Sequence, residues 1–159
     1  LEKESFLRTG EIDSSIFKVP ESMKYLGIYL LFLVTLVTCD MVWLLVVAKN
    51  LYHDEMGDLI AADPNLLAGI AFYLLYALGA IIFVVDPALK KKSLSSAFRY
   101  GALFGFFCYM TYDLTNLAVV RDFPVRLAFI DMAWGTFLTT ICSGFTYWIC
   151  FSRFKTADI

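Results

Sequence analysis

Residues 25–48 read YLGIYLLFLVTLVTCDMVWLLVVA, an apolar stretch whose single charged residue is Asp40. A helix rises about 1.5 Å per residue, so about 20 apolar residues cross the roughly 30 Å hydrocarbon layer of a bilayer. Three further stretches have this length and character, at residues 66–85, 100–120 and 127–151. The sequence therefore predicts an all-α integral membrane protein, a four-helix bundle of transmembrane spans.

The composition supports this prediction independently. Hydrophobic residues make up 60% of the chain and charged residues 18%, whereas soluble domains are about half apolar and a quarter charged. We expect a polar N-terminal tail over residues 1–24, the bundle over residues 25–151 and a short C-terminal tail over residues 152–159. No basic face with interleaved aromatic residues lies outside the spans, so membrane lipid is an expected partner and nucleic acid is not.

Positive charge predicts the orientation. With four spans, both tails and the middle loop share one side, and that side carries ten of the 13 Lys and Arg residues. The other side carries Lys49, Arg121 and Arg126. By the positive-inside rule, both termini should face the cytoplasm, matrix or stroma.

The connections between the spans differ in length. Leu51, Met56, Leu59 and Ile60 in the long first loop could form a short amphipathic turn at the headgroup surface. In the second loop we expect Asp86-Pro87 to end the helix before the basic cluster of residues 90–92. The third loop is short, which predicts that the third and fourth spans are antiparallel neighbours.

Three of the spans contain an aspartate: Asp40, Asp113 and Asp131. A carboxylate at membrane depth costs several kcal/mol, and no Lys or Arg lies in the middle of a span to neutralise these three. Aromatic and amide side chains recur at helical spacing on the same spans, and Tyr73 and Tyr76 of the second span could donate hydroxyls toward these acids. The predicted topology places the three aspartates in the half of the membrane away from the termini. The predicted intramembrane polar cluster consists of Asp40, Trp43, Tyr73, Tyr76, Tyr109, Tyr112, Asp113, Asn116, Asp131 and Trp134.

Two interpretations of this cluster remain open. It could bind a proton, a cation or a polar ligand inside the bundle. Alternatively, it could be an interhelical hydrogen-bond network, with one or more aspartates protonated, that only fixes the packing; such bonds specify geometry more than they add stability. Neutral donors such as tyrosine hydroxyls are what a desolvated carboxylate needs in either case.

Small residues predict a close contact between helices. Ala97, Gly101 and Gly105 form a small-xxx-small run at the start of the third helix, and Gly135 and Thr139 do the same on the fourth. Contacts within one bundle are favoured over a homodimer.

The sequence argues against an enzyme. His53, the single histidine, lies in a loop beside Asp54 and Glu55, where a solvated side chain is more common than a metal ligand. No nucleophile elbow, zinc-protease motif or phosphate-binding glycine loop is present. No catalytic residue, metal site or cofactor is therefore expected.

Four segments carry a resemblance to a known family. They resemble segments of the small four-helix membrane proteins named for the domain of unknown function 2177. The four segments are residues 40–43 (DMVW), 72–76 (FYLLY), 112–116 (YDLTN) and 131–135 (DMAWG). The resemblance covers about residues 25–151 and leaves out the N-terminal tail, which could be a docking element. It implies a four-span membrane fold and supplies no activity.

Two functional hypotheses follow. The first is a non-catalytic accessory or structural subunit of a larger complex in a bacterial-type inner membrane or an organellar one (mitochondrial or thylakoid), with other membrane subunits as partners. The second is a small proton- or cation-coupled transporter or ligand-binding protein that uses the aspartates. We favour the first, because short loops leave little room for a pathway and the interior polar groups can satisfy one another.

Overall fold

The computed structural model describes residues 21–61 and 63–157, which are almost entirely helical and include no β-strand. Residues 1–20, most of the predicted polar tail, lie outside the described residues. Two of the helices continue into a π-helical turn. The elements are α1 (Glu21–Val42) with a first π turn (Trp43–Val47), α2 (Lys49–Met56) with a 3-10 turn (Gly57–Leu59), α3 (Leu66–Ala80) with a second π turn (Ile81–Val85), α4 (Asp86–Lys90), α5 (Leu94–Val119) and α6 (Val125–Ala157).

Three helical stretches are long and apolar enough to cross a bilayer: Glu21–Val47, Leu66–Lys90 and Val125–Arg153. Helix α5 has 26 residues, a sufficient length, but it is not one of the three. This helix is less apolar than the other three because it contains Arg99 near its start and Asp113 and Asn116 near its end. The all-helical membrane architecture is therefore confirmed, and a four-span bundle stays a prediction.

The helix does not end at Asp86-Pro87, so that prediction is wrong. The helical path runs from Leu66 through the second π turn and on to Lys90. Proline lacks a backbone N–H, and its ring clashes with the carbonyl four residues earlier in a regular α-helix. The π turn lies directly before Asp86-Pro87 and widens the backbone there, which lets the helix continue past the proline.

Local sequence signals mark several helix ends. The Asn65 side chain accepts a hydrogen bond from the Ala68 N–H at 3.1 Å and caps α3, and Ser93 caps α5 in the same way through Ser96. Helix α2 ends at Gly57, whose φ of 46° is in the left-handed region that favours glycine.

Helices α5 and α6 approach most closely, and they run antiparallel. A Cβ atom placed on Gly105 would collide with the Gly135 carbonyl oxygen and lie 2.6 Å from Thr139 Oγ1. One turn earlier on α5, a Cβ on Gly101 would lie 3.0 Å from the Thr139 carbonyl oxygen. Ala97, two turns before Gly105, is fully buried. Small side chains therefore let the two backbones touch, a packing mode common in membranes.

Helix α1 packs against α3 and α6, and it is antiparallel to both. Near its start, the Tyr25 hydroxyl donates to Asp86 at the end of the second helical stretch, at 3.1 Å. In its middle, Phe32 and Leu36 are buried in one core with Ala77 of α3. Helix α5 completes the arrangement by packing against α6 and the second π turn.

The distribution of polar and apolar side chains is the reverse of that in a soluble protein. Large apolar side chains cover the outer faces of the long helices, with Leu75 of α3 more than two-thirds exposed and Phe137 of α6 more than half exposed. Side chains of Asp40, Asp113, Asp131, Thr139, Ser143 and Thr146 are buried. This arrangement suits a surface in contact with lipid, because lipid cannot hydrogen-bond to a polar group.

The contact between α5 and α6 predicts that Gly105→Ala destabilises the protein. The added methyl group meets backbone that cannot move aside, and overpacking of this kind typically costs about 1–3 kcal/mol. Gly69→Ala is the matched control, since nothing lies within 4 Å of a Cβ at that position. Its free energy of unfolding should be unchanged or rise by up to ~1 kcal/mol from helix propensity. Unfolding curves in detergent give both values; equal stability of the two variants would contradict the predicted close contact.

Candidate functional site

Asp40 lies at the point where three helices meet. Its Oδ2 accepts a hydrogen bond from the Tyr73 hydroxyl of α3 at 2.6 Å, and its Oδ1 accepts one from Trp134 Nε1 of α6 at 2.9 Å. Only 5% of the residue is exposed. Both carboxylate oxygens are thus satisfied by neutral donors, and the late part of α1 is tied to the early parts of α3 and α6.

The repeated Asp-Met-x-Trp motif brings its two tryptophans together. The Trp43 and Trp134 rings stack with centroids 4.3 Å apart and an angle of 9° between their planes. Trp43 lies three positions after Asp40 and is the first residue of the first π turn. The two copies therefore interlock: the tryptophan of the second motif stacks on that of the first and donates to its aspartate.

Asp131 is held by a residue from the first loop. The Tyr52 hydroxyl of α2 donates to Asp131 Oδ1, and Arg126 at the start of α6 pairs with Glu55 of α2 at 3.0 Å. Burial and the hydrogen bond to Asp131 raise the pKa of Tyr52 well above its ordinary value, so this hydroxyl remains a donor. Helix α2 is therefore fastened to the start of α6 by two polar contacts.

Tyr52 was missed by the sequence reasoning. It is separated from Asp131 by 79 positions, and its neighbours in the loop show no periodicity that would assign it to a helix interior. The available signal was weak: Tyr52 stands between Leu51 and His53 in a segment predicted to lie on the headgroup surface.

Asp113 is different from the other two aspartates. It is fully buried, and neither carboxylate oxygen has a hydrogen-bond partner in the part of the chain that the structure describes. An ionised carboxylate in this position would be desolvated, with no donor among the described residues to stabilise its charge, so the site is suited to a proton or a bound cation.

A second polar chain runs beside this cluster. Thr139 Oγ1 donates to the Gly135 carbonyl oxygen at 2.7 Å, so the Tyr76 hydroxyl must donate to Thr139 Oγ1 at 2.6 Å. The Tyr109 ring covers Gly135 and meets the Tyr76 ring edge-on at 6.4 Å. Tyr76 therefore bonds to a threonine, and not to an aspartate as its spacing suggested.

Two residues of the predicted cluster lie towards its edge. Tyr112 is 55% exposed and packs edge-on against Phe123, with the ring centroids 6.3 Å apart. Asn116 is half-buried in the last turn of α5, where its carbonyl oxygen accepts from the Val120 N–H. The three positions 109, 112 and 113 occupy an arc of about 100° on the helix, and Tyr112 lies at its exposed margin.

The chemistry available to this cluster is hydrogen bonding and proton exchange. Its members are three carboxyl groups, tyrosine and threonine hydroxyls, and an indole N–H. Among residues 21–61 and 63–157, no group of three or more His, Cys, Asp or Glu side chains is placed to hold a metal ion.

Comparison with known proteins identifies the family. No curated protein and no solved structure is significantly similar to this chain. The family described as "Predicted membrane protein (DUF2177)" matches residues 25–148, a range that contains every residue of the predicted cluster. The match confirms the resemblance carried by the DMVW, FYLLY, YDLTN and DMAWG segments. With most of its length matched, the chain belongs to the DUF2177 family of predicted membrane proteins.

Proposed function

We propose that this protein is a non-catalytic, multi-pass accessory subunit of a larger membrane complex. The observation that carries the proposal is a stretch of apolar helix that buries no side chain against the rest of the described chain. Residues 66–72, the first two turns of α3, are all exposed. Between their ends, the other long helices have in every turn a side chain that is at least partly buried.

The sequence of this stretch suits contact with another helix. Ala68, Gly69 and Ala71 are small, and no atom of the described residues lies within 4 Å of a Cβ at Gly69. Helices associate in lipid through close van der Waals packing, which small residues permit. Leu67 and Ile70, both well exposed, would contribute the larger contact surfaces.

The interior supports a structural role as well. Asp40 is satisfied by Tyr73 and Trp134, and Asp131 accepts from Tyr52. These bonds link α1, α2, α3 and α6 without needing a ligand. A preorganised body with one uncovered helix end is what a subunit that docks onto other membrane proteins requires.

The proposed topology has four spans, with α5 as the third, and both termini on the positively charged side. A bacterial-type inner membrane or an organellar membrane fits this orientation. The antiparallel pairing of α1 with α3 and of α5 with α6 supports an up-down-up-down path.

Cysteine labelling tests this topology. In a variant without the four native cysteines, Cys introduced at Ser93 and at Ser152 should react with a membrane-impermeant reagent from the same side, because an even number of spans separates them. Cys introduced at Asp122 should react from the opposite side. Labelling of positions 93 and 152 from different sides would refute four spans.

The subunit role is tested by the mass of the native particle in mild detergent. We expect the protein to migrate with further membrane subunits, and Leu67→Ala with Ile70→Ala should release it from them. The matched control is Phe137→Ala with Ile141→Ala, which removes exposed apolar side chains from α6 instead. Migration as an isolated chain, or equal retention of both double variants, would contradict the proposal.

A second candidate function is favoured by one observation, the unpartnered carboxyl group of Asp113. A buried group of this kind is where a proton- or cation-coupled transporter would bind its ion.

Asp113→Asn separates the two functions. Asparagine keeps the shape of a protonated acid but cannot ionise, so a structural role should survive the change. Asp113→Leu should destabilise the protein by about 1–2 kcal/mol if the carboxyl group holds helices together. Proton or cation flux into reconstituted vesicles is measured for the wild type and Asp113→Asn. Flux that is present in the wild type and lost in the variant would overturn the accessory-subunit proposal; no flux in either supports it.

A further inference from the structure

Two cysteine thiols from different helices meet in the core of the protein. Cys39 of α1 and Cys142 of α6 are both free, and their side chains form a hydrogen bond with each other. Cys142 is fully buried in the apolar core, and Cys39 packs against the same core. The two positions are far apart in the sequence, so this thiol pair exists only because α1 packs on α6.

The other two cysteines of the chain have different surroundings. Cys108 of α5 packs against the same core, and Cys150 is buried in it about two turns after Cys142 on α6. Within the described part of the chain, neither has another thiol as its hydrogen-bond partner. Cys39 and Cys142 are therefore the pair best placed to react with each other.

The two thiols differ in how a reagent can reach them. Cys39 is partly exposed at the surface of the bundle, whereas Cys142 has no exposed surface and lies behind it. Both lie inside candidate membrane spans, Glu21–Val47 and Val125–Arg153, and away from the ends of those spans. A reagent that reaches Cys39 from outside must therefore dissolve in lipid, and Cys142 can be reached only through Cys39.

We propose that Cys39 and Cys142 are a redox-active pair that lipid hydroperoxides oxidise to a disulfide between α1 and α6. An accessible cysteine next to a second, resolving cysteine is the usual arrangement of a thiol that responds to peroxide. Cys39 is the residue that meets the peroxide, because it is the exposed member of the pair. The pair lies apart from the exposed start of α3 and does not involve Asp113, so the proposal does not depend on either function proposed above.

The reaction has two steps. The Cys39 sulfur attacks the terminal oxygen of the hydroperoxide, the O–O bond breaks, and the thiol proton passes to the departing alkoxide, which leaves as an alcohol. Cys39 is now a sulfenic acid. The Cys142 sulfur then attacks the Cys39 sulfur, the S–O bond breaks, and the hydroxide leaves with the Cys142 proton as water. The peroxide is thus reduced by two electrons, which the two thiols supply.

The disulfide would add a covalent link where a hydrogen bond already joins the same helices. Asp40, the residue after Cys39, accepts from Trp134 of α6 at 2.9 Å. A link between positions so far apart in the chain restricts the unfolded state strongly. We therefore expect the oxidised protein to unfold at a higher temperature than the reduced protein, and reduction to reverse the shift.

The pairing is tested on the wild-type protein in liposomes, with cumene hydroperoxide as the lipid-soluble peroxide. Free thiols are counted by alkylation and mass spectrometry, and a non-reduced digest identifies the linked peptides. Two of the four thiols should be lost, as a Cys39–Cys142 disulfide within one chain. Hydrogen peroxide at the same concentration should act more slowly. Retention of all four thiols, a disulfide through Cys108 or Cys150, or equal rates with the two peroxides would overturn the proposal.

Variants separate the roles of the two residues. Cys142→Ser should stop the reaction at the sulfenic acid, which dimedone traps on Cys39, and Cys39→Ser should lose no thiol. Cys150→Ser is the matched control on α6 and should form the disulfide like the wild type. Thermal unfolding verifies that each variant is folded. Thiol loss in Cys39→Ser at the wild-type rate, or failure of the disulfide in Cys150→Ser, would contradict these roles.

Discussion

The requirement that a buried carboxyl group find hydrogen-bond donors inside the protein is met by Asp40 and Asp131, and it links four of the helices. In lipid, a carboxylate has no water to accept from, and leaving it unsatisfied costs several kcal/mol. Asp40 meets the requirement with one donor from α3 and one from α6, so a single side chain holds three helices in register. Asp131 meets it by drawing Tyr52 of α2 against the start of α6. The arrangement of α1, α2, α3 and α6 follows from satisfying two carboxyl groups.

Helices α5 and α6 are held by a different constraint, the contact of two backbones. Gly105 and Gly135 leave no space between them for a side chain, and the Thr139 hydroxyl donates a hydrogen bond to the Gly135 carbonyl oxygen. This contact fixes how α5 lies against α6. Asp113, two turns after Gly105 on the same helix, is buried without a donor among the described residues.

Each of the two π turns lies next to a polar feature of the structure. The first begins at Trp43, three residues after Asp40, and precedes the short helix that carries Tyr52. The second precedes Pro87, and its Ile81 and Ile82 line a groove beside Tyr25 and Leu26 of α1. Extra residues inserted into a helix in this way are frequent at functional sites, and here each one adjoins a polar feature at one end of the protein.

The amino-acid sequence by itself determined the helical membrane architecture, the family, the presence of three aspartates among apolar residues and the small residues of α5, because these depend on composition and on spacing along one helix. Which donor meets which acid was decided only by the tertiary structure. Tyr76 has the spacing of an aspartate partner but reaches Thr139, and Tyr112 faces outward, because the rotation of a helix is set by its neighbours. The sequence pattern also could not predict the contact of Tyr52 with Asp131 or the continuation of the helix past Pro87. The first depends on a contact across 79 positions, and the second on a π turn that no residue type marks.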